Sequence, residues 1–207
     1  MQARLKYRMH KWVFCFLGGM GGFCVSFPAA HAGVFNLSHF ISPGKFAVGL
    51  EPELLTTNES ALGVNVKYLQ GVSDLSNLSV FLGTGSGSRQ FRIGSAYTFD
   101  FFPDVEKQPG IGLALQGVFV QLAGIGTLEL SAIPYIHKNL KFEHVNAEPF
   151  LSIPVGLALA QGMYQTQFTL VTGSLFHHSK NFSSVFELGV ALSNTSTYIS
   201  GGIVYYI

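Results

Sequence analysis

The stretch FHHSKN, residues 176–181, holds the arrangement of residue types in this chain that hints at catalysis: His177 and Ser179 form an H-x-S, with Asn181 and Glu187 following. A hydroxyl becomes a nucleophile only when a base stands beside it, so these types belong to nucleophilic chemistry. Read only as local sequence, the same run is a solvated turn. A second set is spread along the chain: Glu51, Asn65, Lys67, Gln90, Arg92, Gln116, Glu129, Glu148, Gln165, Gln167 and Glu187, with Asn77. If these face a common interior, they either line a narrow pore for small solutes or pair into a plug, because a buried charge must find a partner. Other candidates are weaker. GTGSGS lacks the Lys and following helix of a phosphate loop. Asp100, Asp104 and Glu106 lack EF-hand spacing and read as a solvated turn. His137 and His144 flank another turn without metal-ligand spacing, so neither a metal nor a cofactor is expected.

What must position these residues is a set of strands. In SRQFRIGSAYTFDFFPD, residues 88–104, Phe91, Ile93, Tyr97, Phe99 and Phe101 alternate with Gln90, Arg92, Gly94, Ala96, Thr98 and Asp100. Side chains alternate across a strand, so this is one strand with an apolar and a polar face. The pattern returns in ALGVNVKYLQ, GIGLALQGVFV, TLELSAIPYI, QTQFTLVTG and VFELGVAL, and no window of similar strength has helical spacing. Turn formers between these runs give about ten strands, near 45–54, 61–70, 75–83, 88–101, 110–122, 126–138, 145–160, 164–177, 182–193 and 195–207, with eight as the alternative count. Pro134 and Pro154 fall inside strands; with a hairpin turn near Glu143 they lie almost opposite each other, which predicts a paired bulge or local gap.

The ends and the composition bear on where such a sheet lives. Arg4, Lys6, Arg8 and Lys11 precede an apolar stretch and then FPAAHA, which reads as a secretory signal peptide over residues 1–32. Residues 33–44 are an N-terminal lead-in, and 45–207 form one domain. Both cysteines lie in the signal, so no disulfide is expected. The processed chain keeps eight Lys/Arg against eleven Asp/Glu, a net charge near −3, which argues against nucleic acid as a partner. Only 11% of the residues are charged, less than half the roughly 25% of soluble domains. An exported, apolar chain whose sequence offers no spanning helix points to an all-β fold: a closed antiparallel up-and-down transmembrane β-barrel. In such a barrel the small polar face points inward and the bulky face meets lipid. Tyr97, Phe99, Phe101, Phe102, Tyr164 and Tyr198, near turns, would form the interfacial girdle.

By pattern, residues 45–207 resemble the small bacterial outer-membrane β-barrel proteins of the OmpA and OmpW types. The last ten residues, YISGGIVYYI, resemble the C-terminal signal by which such barrels are recognised for assembly, with Ile207 where that signal usually ends in Phe. The resemblance implies a monomer in the bacterial outer membrane, with lipid and lipopolysaccharide as partners and the barrel-assembly machinery as a transient one. Both termini would then be periplasmic, leaving short outer loops (LLTTNES, GTGSGS, AGIG, AQGM, SNTS) that disfavour surface recognition. The expected role is structural, or passive passage of small solutes. The alternative comes from a second resemblance: H-x-S with a following Glu is similar to the His-Ser-Glu set of the outer-membrane lipid A deacylases. It implies an acyl hydrolase with Ser179 as nucleophile, His177 as base and Glu187 orienting it.

Overall fold

Residues 39–56, 60–87, 90–122, 124–143 and 145–207 are described by the structure, a computed structural model. The expected signal peptide, the first half of the expected lead-in and His144 lie outside them. The alternating runs form β1 (Phe46–Leu55), β2 (Ala61–Ser73), β3 (Ser76–Gly85), β4 (Phe91–Phe102), β5 (Gly110–Leu122), β6 (Ile125–His137), β7 (Leu140–Lys141), β8 (Asn146–Ser152), β9 (Val155–Ala160), β10 (Met163–His177), β11 (Phe182–Ser193) and β12 (Tyr198–Tyr206). Each crossing strand pairs antiparallel with its neighbours, and β12 returns to pair with β1, closing the sheet. Both β8 and β9 lie between β6 and β10, so they are two halves of one crossing. The result is a closed barrel of ten antiparallel crossings, not eight.

Pro134 and Pro154 account for the interrupted crossing. The β6 ladder pairs Ala132 with Val155 and Tyr135 with Ser152, so Pro134 and Pro154 stand almost opposite each other, one residue out of register. A proline has no N–H to give a ladder. The gap is closed by the donors that remain: Ile153 N–H bonds Pro134 O at 3.1 Å, and Thr169 N–H bonds Pro154 O at 3.2 Å. Pro52 makes a second interruption, one that the sequence reading passes over. The β1–β12 ladder jumps from Leu50↔Ile203 to Glu53↔Ser200 around it.

Burial alternates along the strands, and it does so inside out relative to a water-soluble protein. Leu50, Leu62, Val66, Leu82, Ile93, Leu115, Leu130, Leu157, Phe186 and Ile203 are exposed, while Glu51, Glu53, Lys67, Arg92, Asp100, Glu129, Glu148 and Glu187 are buried. Among the ten crossings, every Asp, Glu, Lys and Arg faces inward; the outward rows are aliphatic or aromatic, with occasional Ser, Thr, Gln, Gly and Ala. An outer wall of this kind, free of charge and rich in bulky apolar groups, is solvated by hydrocarbon. Tyr97, Phe101, Phe102 and Tyr164 are exposed on that wall. Tyr198 is not a girdle residue: it is fully buried. Its neighbours Ile199, Ile203 and Tyr205 point outward, which fixes the opposite parity for position 198.

The interior is filled by a volume rule. Across the ladders, an inward glycine stands beside an inward bulky residue: Gly83 beside Arg92, Gly94 beside Phe81, Gly112 beside Tyr135, Gly110 beside His137, Gly173 beside Phe150 and Gly189 beside Tyr198. A Cβ on Gly94, Gly110, Gly112, Gly173 or Gly189 would overlap the ring it faces. On Gly83 it would overlap Asn65 and crowd the Arg92 guanidinium. These pairs let large groups lie flat against the wall and meet at the centre. Leu55, Ile133, Val171, Leu175 and Val204 fill the remaining space as an apolar core.

Candidate functional site

Inside the barrel the inward charges are cross-linked. Arg92 starts its strand's inward row opposite Gly83, which leaves room for the guanidinium to cross toward β1 and β2. Its Nη1 lies 3.2 Å from Glu53 Oε2, and its Nη2 donates to Asn65 Oδ1 at 2.7 Å. Asn65 Nδ2 donates to the same Glu53 oxygen at 3.4 Å. Ser200 Oγ donates to Glu51 Oε1 at 2.7 Å, and the Tyr198 hydroxyl donates to Glu187. Lys67 feels the charges of Glu51 and Glu187, and its ammonium lies 5.9 Å from the centre of the Phe81 ring. Arg92 and Glu187 are 0% exposed, so a water-sized sphere reaches neither.

The remaining predicted interior residues divide as follows. Gln116, Glu129 and Gln167 are buried within β5, β6 and β10, and Gln165 is half-buried near the end of β10. Gln90 is not inside: it is exposed in the bend before β4, because that strand begins at Phe91 rather than residue 88. Asn77 is buried and holds the lead-in, accepting from Ile41 N–H at 3.1 Å and donating to His39 O at 2.9 Å. Glu53 is an interior charge that the sequence reading missed, although it shares the parity of Glu51.

The proposed His-Ser-Glu set is not assembled. His177 Nδ1 bonds Ser183 Oγ at 2.9 Å, whereas Ser179 lies in the following turn, its N–H on Phe182 O and its Oγ accepting from Asn181 N–H. Glu187 pairs with Gly173 while His177 pairs with Ser183, an offset of four residues. At about 3.3 Å per residue that is about 13 Å along the strand. Glu187 is committed to Tyr198 instead.

At the barrel end where β1 begins and β12 ends, a different cluster forms. Asp100 and His137, read as turn residues, are buried. His137 Nδ1 meets Glu148 Oε1 at 2.8 Å and its Nε2 meets Asp100 Oδ2 at 3.0 Å, the pattern of an imidazolium donating twice. Tyr135 donates to Asp100 Oδ1 at 2.8 Å. The second oxygen of Glu148 faces two more histidines: His39 Nδ1 at 3.5 Å and His177 Nε2 at 3.6 Å. His39 also stacks on His177, with ring centres 4.5 Å apart, and meets Tyr206 edge-on at 5.6 Å. Asp104 is likewise structured, accepting from Lys138 Nζ and from Asn139 N–H, so the 103–109 turn is docked on the next one rather than free in solvent. No signal in the sequence groups these residues, because they come from the lead-in and from β4, β6, β8 and β10.

No family model and no curated protein matches the chain. Solved structures do. The COG4313 outer membrane channel from Pseudomonas putida F1 is similar at a TM-score of 0.53 and 7% identity, over 83% of this chain and 98% of that one. A de novo designed transmembrane β-barrel matches at a TM-score of 0.41 and 15% identity, over 81% and 99%. Ail, the attachment invasion locus protein of Yersinia pestis, solved with the heparin analogue sucrose octasulfate, matches at 0.33 and 12%, over 79% and 97%. The likeness is one of fold: an outer-membrane-type β-barrel.

Proposed function

We propose that this chain is a structural protein of the bacterial outer membrane whose barrel is closed to solutes. The outward rows, without a charge on any of the ten crossings, support insertion in lipid. The observation that carries the closed reading is the interior. Arg92 and Glu187 are buried inside the barrel beyond the reach of water, tied to Glu53, Asn65 and Tyr198, and a cluster of buried apolar side chains shares the interior with them. A conducting lumen of this strand number would need a wetted row of side chains, and the charged residues are the ones that would be wet.

The termini face the periplasm in this reading, and the protein acts as a monomer, contacting outer-membrane lipid and lipopolysaccharide after delivery by the barrel-assembly machinery. The test is reconstitution of the folded, full-length processed protein into planar bilayers. The expected result is a baseline without unitary current steps. Reproducible steps of a single size would overturn the closed reading and put passive passage of small solutes in its place.

A further inference from the structure

We propose that His39, Glu148 and His177 form a binding site for a divalent transition cation of the zinc class at the mouth of the barrel. The donor atoms are two imidazole nitrogens and one carboxylate oxygen, and all lie within 4.8 Å of one another. Two of the three separations are 3.5 and 3.6 Å. Donors held about 2.0–2.1 Å from a tetrahedral zinc stand about 3.3 Å apart, so the two separations to Glu148 need to shrink by only a few tenths of an ångström.

Each donor is already oriented. His177 turns its Nδ1 to Ser183 Oγ, which leaves Nε2 aimed at the site, buried and without a hydrogen-bond partner. Glu148 gives Oε1 to His137, itself anchored by Asp100, which leaves Oε2 as a single ligating oxygen. These outer contacts are of the kind that fix a ligand's tautomer and geometry. His39 is held in place through Asn77 on its carbonyl and through its rings' contacts with His177 and Tyr206. With three protein donors, the fourth position opens on a cleft of about 520 Å³ lined by Asn139, Phe142, Asn146, His178 and Ser179. That position would take water or an anionic ligand. The ion would pin the lead-in to β8 and β10 across the barrel mouth.

The test uses the folded full-length processed protein in detergent, stripped with chelator and titrated with zinc by calorimetry, then with cobalt to read ligand-field absorption. One equivalent per chain is expected, with visible cobalt bands. His39→Ala, which alters no strand, and His177→Ala should each weaken binding at least 100-fold; Ser183→Ala should weaken it about 10- to 100-fold. His178→Ala, in the same cleft but bonded to Ser184, should bind as wild type. Heat-dependent gel mobility confirms that each variant is folded. The proposal is overturned if wild type shows no saturable uptake, if folded His39→Ala and His177→Ala bind as wild type, or if His178→Ala removes the binding.

Discussion

Replacing Arg92 with Ala tests the central argument about the interior. The guanidinium is wholly buried and makes a 3.2 Å ion pair to Glu53 and a 2.7 Å hydrogen bond to Asn65. Removing it leaves the Glu53 carboxylate in the barrel without that cation, and removing one partner of a buried pair costs about 3–5 kcal/mol. The two lost bonds to a charged group, at about 1.5–3 kcal/mol each, give a sum of the same size. The assay is equilibrium unfolding by guanidinium chloride from phospholipid vesicles, followed by tryptophan-independent circular dichroism, with unfolding and refolding limbs compared. Arg92→Ala should lower the unfolding free energy by about 3–5 kcal/mol. Because the damage is an uncompensated charge, the double variant Arg92→Met/Glu53→Gln should be more stable than Arg92→Ala alone, the two sites coupling by about 1–3 kcal/mol. A loss below about 1 kcal/mol for Arg92→Ala, the range of exposed ion pairs, would refute the buried, water-free picture. So would strict additivity of the two sites.

Two further outcomes are expected. Gly189→Ala places a methyl group in the ring of Tyr198, which is pinned by Glu187 and cannot retreat; overpacking of this kind costs about 1–3 kcal/mol by the same unfolding assay, and pairing it with Tyr198→Leu should recover part of the loss. Leu115→Arg, in the middle of the outward row of β5, should cost about 2–4 kcal/mol in vesicles, and a neutral result would mean that the outer wall meets water.

Strand parity was legible in the sequence because hydrocarbon and a narrow interior impose opposite demands on alternate residues. The proline gap was legible for the same reason: once Pro134 and Pro154 are placed on adjacent strands, the turn between them sets their height. Errors arose at strand ends. Gln90 has the parity of Arg92 but precedes the first paired residue, and Tyr198 was read from its nearness to a turn although the parity of Ile199 already placed it inside. The mouth cluster was not legible. His39, Asp100, His137, Glu148 and His177 are brought together only by closure of the barrel and by the path of the lead-in over Gly71, where any side chain would strike the carbonyls of Ile41 and Ser42. Separations of tens of residues carry no periodic signal.

The partnership of Gly112 with Tyr135, and of Gly110 with His137, bears on how this sequence can drift. Either member changed singly is penalised, one direction by collision and the other by a void. Neutral variation at these heights must therefore proceed by exchange, the ring migrating to the neighbouring strand as the glycine takes its place. Relatives of this chain should show such swaps as correlated columns, and those columns would report which strands are neighbours without any coordinates.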